Sequence, residues 1–421
     1  MTSVGILAVN FGTGLLVARA LGPAGRGETV ALGTLNQLIG WLAVLGLNEG
    51  MAYFAAKKPE DVARIVGTSL SLIALLGTIG VVVAQLLLPV VLSAQDDSLI
   101  LIGRFYLFEI YLGVASALLL SILAGNQDFS GSNLARIMQP AAYLSALVVL
   151  ALTSSLTVTT VLASGSAATA LTVVVAIKRL HRAVGIGRPS LAIARSAAKY
   201  GLKVQGSVLG GLGTARLDLL LLPSILPAVA IGQYSVATNS AGMMILLAGS
   251  LGSVVLPVAA RRGDQAGAVL VARMLRLILT FGVVLGLPLL LLAPQLLGII
   301  YGDGFVGAST ALRVLIPGML FAMGARVLEG GLKAANRPTA ASVGQLVGLA
   351  VTLIGLLLTL RPYGIVGAAG TTTVAYGVTF ISALLFMRQE EHFSLGEAFS
   401  LQGLRADVAR LVGRLPFRRT A

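Results

Sequence analysis

Cysteine is absent from the 421 residues, and histidine occurs only as His181 and His392, both in polar stretches that connect apolar ones. Without thiols there is no disulfide framework, thiol nucleophile or thiolate metal site, and two separated histidines give no cluster for a metal or an imidazole base. Charge is scarce as well: 11% of the residues are Asp, Glu, Lys or Arg, against roughly 25% in soluble domains. What fills the space is apolar, 57% of the chain at a mean hydropathy of +0.94. A soluble core cannot hide that much. Hydrophobic runs of about 20 residues recur, each long enough to cross a hydrocarbon layer of roughly 30 Å as a helix. They are continuous rather than alternating, which favours helices over a barrel. The composition predicts an all-α polytopic membrane protein.

About twelve spans are expected: residues 2–21, 30–56, 65–93, 99–123, 132–153, 157–177, 199–222, 228–258, 270–297, 306–332, 339–360 and 365–387. The N-terminal "MTSVGILAVNFG" lacks the basic region of a cleaved signal peptide, so the first span is expected to be retained. With the N-terminus inside, the inner loops collect Lys57, Lys58, Arg64, Arg136, Lys178, Arg179, Arg182, Arg188, Arg195, Arg261, Arg262, Lys333 and Arg337. The outer loops hold mainly Arg26 and Arg361, with Asp96, Asp97 and Asp303. The positive-inside bias places both termini in the cytoplasm and accounts for most of the net charge of +14 without nucleic acid as a partner.

The longest basic interruption divides the chain into an N-terminal six-helix lobe at 1–177, a basic cytoplasmic linker at 178–198 and a C-terminal six-helix lobe at 199–387. The remaining segment, 388–421, carries Leu404, Val408, Leu411, Val412 and Leu415 at helical spacing among five arginines. That pattern predicts an amphipathic helix on an anionic leaflet, the alternative being a disordered basic tail. The halves echo each other: "PAGRGETVALGTLNQ" at 23–37 aligns with "AVAIGQYSVATNSAG" at 228–242, Gly27 against Gly232, and "LAGNQDFSGSN" at 123–133 with "LKAANRPTAAS" at 332–342. Corresponding spans run in the same direction, so the lobes are expected as parallel pseudo-symmetric repeats around a central cavity. Gly22, Pro23, Gly25 and Gly27 are read as a tight outer turn. A phosphate-binding loop is not expected there, since no strand precedes it and no Gly-Lys-Ser/Thr follows.

An ionisable group inside a span costs about 2.5–3.5 kcal/mol at mid-helix, so each is a candidate for function. Arg19 either snorkels to the outer interface or lines the cavity. Arg216 and Asp218, in the seventh span, sit two residues apart and need partners on other helices, as a structural pair or as a substrate or proton site. Glu49 is the deepest acid of the second span and the candidate for ion coupling, or a partner for an arginine. Arg326, Glu329 and Lys333 form a stripe, read either as internal ion pairing or as substrate contact. Arg104, Glu109, Lys203 and Arg313 complete the charged set, and Asn10, Gln233 and Asn239 add amides. The arginines and Lys203 are fixed positive charges, the groups that can replace the water stripped from an anion.

Six stretches carry a resemblance over nearly the whole chain: "ARALGPAGRGE" at 18–28, "GLNEGMAYFAAKK" at 46–58, "ARLDLLLLPSILPAVAIGQYSVA" at 215–237, "GSVVLPVAARR" at 252–262, "YGDGF" at 301–305 with "RVLIPG" at 313–318, and "RPYGIVGAA" at 361–369. The sequence resembles the multidrug/oligosaccharidyl-lipid/polysaccharide exporter superfamily, in its polysaccharide flippase branch. The resemblance implies two six-helix lobes, a central cavity, a bacterial inner-membrane location and export of an undecaprenyl-pyrophosphate-linked glycan by alternating access for cell-surface polysaccharide synthesis. It implies membrane lipids and polysaccharide biosynthesis enzymes as partners, no cofactor, and coupling to a proton or a sodium gradient. The eleventh span has no Asp or Asn, unlike lipid II flippases, so a sodium site of their kind is not expected there. The N-terminus is shorter than is usual in that branch, which leaves room for a basic segment upstream. Two other functions compete. A multidrug exporter of the same superfamily would want acidic and aromatic groups, and aromatics make up only 5%. An integral-membrane glycan polymerase or ligase would want catalytic groups on a large outer loop, and the outer loops are short. The reading is therefore a transporter rather than an enzyme.

Overall fold

The computed structural model describes residues 2–44, 46–390, 392–400 and 403, with the backbone alone described at 2–5, 7–8, 203–215 and 246–264. The expected tail helix falls largely outside the described residues. Among them the chain is helical, without strands: α1 (Thr2–Val44), α2 (Leu47–Lys57), α3 (Val62–Val91), α4 (Asp97–Tyr106), α5 (Glu109–Gly125), α6 (Phe129–Leu152), α7 (Val158–Val184), α8 (Leu191–Leu221), α9 (Ala228–Leu291), α10 (Ala293–Tyr301), α11 (Ser309–Ala334), α12 (Pro338–Arg388) and α13 (Leu395–Ala398). Seven helical segments among the described residues are long and apolar enough to cross a membrane, or eight if a pair bent by 47° between Val9–Val44 and Leu47–Lys57 is one span. This is a multi-pass membrane protein. Leu86, Val90, Leu357 and Leu358 stand exposed on these helices, a surface suited to lipid rather than water.

Several expected boundaries shift. The turn read at 22–28 is a break at one residue: only Gly22 leaves helical geometry, at φ 66° and ψ −172°, a region essentially reserved for glycine. Pro23 then opens the next helical stretch, where its missing N–H costs nothing. The second expected span is broken at Gly46, which is left-handed at φ 74°. The fourth is interrupted at Leu107 and Phe108, between α4 and α5. Spans eleven and twelve meet across Gly364, at φ 54°, two residues after Pro362. No break separates the expected eighth and ninth spans, since α9 is helical from Ala228 to Leu291. The basic 178–198 stretch is mostly helix, its non-helical part being 185–190. That part is clamped to α3: Gly187 N donates to Ala63 O at 2.7 Å and Ser190 N to Thr68 Oγ1 at 2.9 Å.

The chain divides into two compact units, one of residues 1–209, 219–235 and 300–305, the other of 210–218, 236–299 and 306–421. In the first unit α5 packs against α2, α3 and α7, while α1 packs against α5 and α6. Buried Val17, Leu147 and Val161 meet with Leu16, Leu21, Tyr143 and Leu156 around them. Lipid offers helices no hydrophobic reason to associate, so close approach through small residues does the work. A Cβ on Gly27 would fall on the Ala228 carbonyl and lie 2.9 Å from Gly232 N, while one on Gly232 would fall on the Pro23 carbonyl and lie 3.0 Å from Gly27 N. The contact is reciprocal: Pro23 and Gly27 on one helix face Ala228 and Gly232 on the other, each pair one turn apart. Gly46 and Gly50 repeat the arrangement with Ala197 and Gly201 of α8. Gly25 and Gly27 therefore serve as helix, and Gly27 as a contact, rather than as the turn.

In the second unit α11 packs along α12. Thr373 Oγ1 donates to Val314 O at 2.6 Å, and Gly318, Gly324 and Gly348 leave room for Thr373, Phe380 and Thr379.

Two expectations follow. Gly27→Ala and Gly232→Ala, which set a methyl group against backbone, should lower the melting temperature and folded yield sharply. Gly12→Ala and Gly33→Ala, whose Cβ meets nothing within 4 Å, should not; equal melting curves for all four would remove the crossing from the account. Asp128, in the connection before α6, accepts from Gly131 N at 2.8 Å and from Arg179 Nη1 at 3.1 Å. The Gly131 amide first, and Arg179 with it, hold its carboxyl below the usual carboxylate range. A lowered folded value adds stability above the ordinary Asp value of about 3.9, and that stability drains away as pH falls through the folded value. Asp128→Asn should therefore be less stable than wild type at neutral pH, with the gap closing below about pH 4 in an acid series of melts.

Candidate functional site

The first unit holds a polar cavity of about 440 Å³ lined from α1, α4, α5, α6 and α7. It carries three charged side chains, Arg26, Glu109 and Arg136, beside Asn10, Gln139 and Thr169. Sequence reading counted Arg26 and Arg136 as loop charges that set orientation. The structure corrects both: Arg26 stands one turn inside the helical stretch opened by Pro23, and Arg136 belongs to the second turn of α6. Two of the helix breaks bring a polar side chain to this place, since Gly22 precedes Arg26 and the Leu107–Phe108 interruption puts Glu109 at the start of α5.

Two of these charges have buried atoms to spare. Arg26 Nε and Glu109 Oε2 are sealed from solvent and have no hydrogen-bond partner. Tyr143 and Tyr301 are the groups that act electrostatically on the Arg26 guanidinium, while the Ser166 hydroxyl serves the Glu109 carboxylate. Gln139 Nε2 donates to Thr169 Oγ1 at 3.1 Å, and that hydroxyl donates in turn to Gly165 O at 3.0 Å. Desolvated donors and acceptors left open in this way cost stability unless a ligand completes them. At 440 Å³, the cavity is of the size that takes a small molecule or a headgroup, not a whole oligosaccharide.

The residues named from sequence are distributed elsewhere. Arg216, Asp218 and Arg326 gather in the second unit, where all three act electrostatically on Tyr376 of α12. Asp218 is buried and Arg326 exposed. Tyr376 was missed, as no sequence signal marks one tyrosine among nine. Glu329 accepts from Gln345 Nε2, so the expected ion pairing along its stripe is replaced by an inter-helix hydrogen bond, with Arg326 and Lys333 acting on it only through space. Arg19 Nε donates to Ile300 O at 2.7 Å and Arg313 Nε to Leu290 O at 3.0 Å. Each guanidinium meets a carbonyl in the last turn of a helix, α10 or α9, where cations are favoured. Gln233 is likewise structural, donating to Gly304 O at 3.1 Å. Glu49 is exposed in the first turn of α2 and accepts from Asn48, so the acid read as deep stands beside the Gly46 break. Asn239 is exposed, and the Lys203 side chain lies outside the described residues.

No protein-family model matches the chain. The probable low-salt glycan biosynthesis flippase Agl15 of Haloferax volcanii is 23% identical over 199 residues, 46% of this chain and 42% of that protein. An uncharacterized membrane protein of Methanocaldococcus jannaschii is 22% identical over 204 residues, 46% of this chain and 39% of the other. The match thus spans less than half of each curated relative. Among solved structures, the lipid II flippase MurJ in an inward closed conformation superposes with a TM-score of 0.77 at 13% identity, covering 98% of this chain and 92% of that one. An inward-facing multidrug resistance transporter of the MATE family superposes with a TM-score of 0.71 at 16% identity, covering 93% and 96%. At such identities these likenesses establish the fold.

A guanidinium held for a ligand rather than for the fold should be dispensable to stability. Replacing a buried charge with an apolar side chain of similar volume is often neutral or stabilising by about 1–4 kcal/mol. Arg26→Met should therefore melt at or above the wild-type temperature, whereas Arg179→Met, which strips Asp128, should melt below it. A large loss of stability in Arg26→Met would make Arg26 a structural residue.

Proposed function

From the fold of the multidrug/oligosaccharidyl-lipid/polysaccharide exporter superfamily, which this chain has, we propose that the protein is a flippase for a lipid-linked oligosaccharide. The substrate class is undecaprenyl-pyrophosphate-linked glycan, carried from the cytoplasmic to the outer leaflet of the cell membrane by alternating access, for cell-surface polysaccharide synthesis. Two six-helix lobes with both termini in the cytoplasm complete the reading, and no covalent chemistry is required. The observation that carries it is the first unit's cavity, where Arg26 offers a sealed, unsatisfied N–H and Arg136 a second cation. A diphosphate group entering such a place trades its water for guanidinium contacts, while Asn10, Gln139 and Thr169 suit sugar hydroxyls. The gathering of Arg216, Arg326 and Tyr376 in the second unit is a further set of groups of that chemistry. Agl15, a probable glycan biosynthesis flippase by name, supports the glycan part of this reading.

Glu109 supports a second reading. A buried carboxylate with an open oxygen, in a fold shared with MATE transporters, also suits export of an organic cation. Deletion of the gene in its host separates the two. Lipid-linked glycan should accumulate on the inner leaflet while surface glycan falls, and at matched protein levels Arg26→Met should restore export at least about tenfold less well than wild type, the loss expected for one charge-assisted contact. Normal surface glycan with increased sensitivity to cationic compounds would replace the glycan reading with drug export.

A further inference from the structure

The second unit holds a cavity of about 630 Å³ that none of the foregoing uses. One wall is the stretch of α9 that carries Ala266, Val269, Leu270, Arg273 and Arg276; the other is the segment after α12, with Glu397, Ser400 and Gly403. Arg276 ties the walls together by donating from Nη1 to the Glu397 carbonyl. Gly403 lies flat on that guanidinium, so near that a Cβ would collide with it and stand 3.0 Å from Nη2. The segment is itself ordered by Ser400, whose Oγ accepts from Gly403 N at 3.0 Å.

Chemistry and position both indicate the occupant. Arg273 and Arg276 are three residues apart, on one face of the helix. Glu397 is the acid among the described lining residues, and its backbone carbonyl accepts from Arg276. Arg273 and Arg276 fall in the first two turns of the expected ninth span, 270–297, and so near one end of a hydrocarbon layer of about 30 Å. Both reach headgroup level by snorkelling. Beside them Val269 is 46% and Phe399 52% exposed, apolar surface next to cationic surface as in a phospholipid's own junction of headgroup and chain. The positive-inside bias places this end of the span on the cytoplasmic side.

We infer that this cavity binds the phosphate headgroup of an anionic membrane lipid, which pins the segment after α12 to the first turns of the span. The site is separate from the one proposed for transport. A guanidinium near an anionic headgroup is worth about a fivefold gain in affinity. The test uses the full chain purified in neutral detergent, titrated with phosphatidylglycerol, phosphatidylcholine or water-soluble glycerol phosphate while thermal unfolding is followed. Phosphatidylglycerol should raise the melting temperature and phosphatidylcholine should not. Arg276→Gln should weaken the response about fivefold and Arg273→Gln with Arg276→Gln abolish it, while the paired lysine variants keep most of it. Gly403→Val, in a segment outside the spans, should weaken it by displacing the guanidinium even if the double variant folds poorly. Equal responses to the two lipids, or an unchanged response in Gly403→Val and the arginine variants, would overturn the site. A shift reproduced by glycerol phosphate alone would keep the phosphate site and overturn its assignment to lipid.

Discussion

Backbone meeting backbone at glycine is the interaction on which the rest of this structure depends. A helix in lipid gains nothing from burying leucine against leucine, because the acyl chains are equally apolar. It gains from dispersion and from dipoles brought close, and both need the side chains out of the way. Gly27 with Gly232, and Gly50 with Gly201, let two helix pairs touch along a full turn each. Gly125 does the same for α5 against Ala52 of α2. Once these contacts are fixed, the rotation of each helix about its axis is fixed with them. Arg26 precedes Gly27 by one residue, hence by about 100° around the helix, and so is turned away from the crossing; its place is on the cavity.

The second device is the broken helix. Charged side chains are costly in lipid, and the place where a helix changes course is one where they can enter. Arg26 follows the break at Gly22, Glu49 follows Gly46 and Glu109 follows Leu107–Phe108. At each, a polar group enters the structure without disturbing the apolar face on either side.

Much of this was legible in sequence, and the boundary between what was and was not is physical. Hydropathy locates apolar stretches because transfer energy adds along a chain, and among the described residues the expected spans fall largely on helix. It does not locate a break that costs one glycine's φ, so Gly46 was passed over and the turn around Gly22 was read as wider than it is. Nor does it say what a glycine touches: aligning the halves paired Gly27 with Gly232 by position, and their contact is a separate fact that only coordinates supply. Arg26 and Arg136 were misplaced for a related reason. Orientation rules count a cation near a span end as a loop charge, whereas a helix that continues through the expected loop carries it inward. Arg19 and Arg313, named as cavity candidates, went to helix-end carbonyls, a use that depends on which helix ends nearby.

A cavity that holds Arg26 and Glu109 in the same low-dielectric place is informative about the work it can do. Were the two present for stability, the expectation is a closed ion pair with every polar atom satisfied, since a half-satisfied charge in such surroundings is worse than none. Instead each keeps a sealed atom without a partner. The missing partners must be of opposite kinds, an acceptor for Arg26 and a donor for Glu109. A diphosphate answers the first and a sugar hydroxyl the second, so one headgroup carrying both groups meets both needs at once.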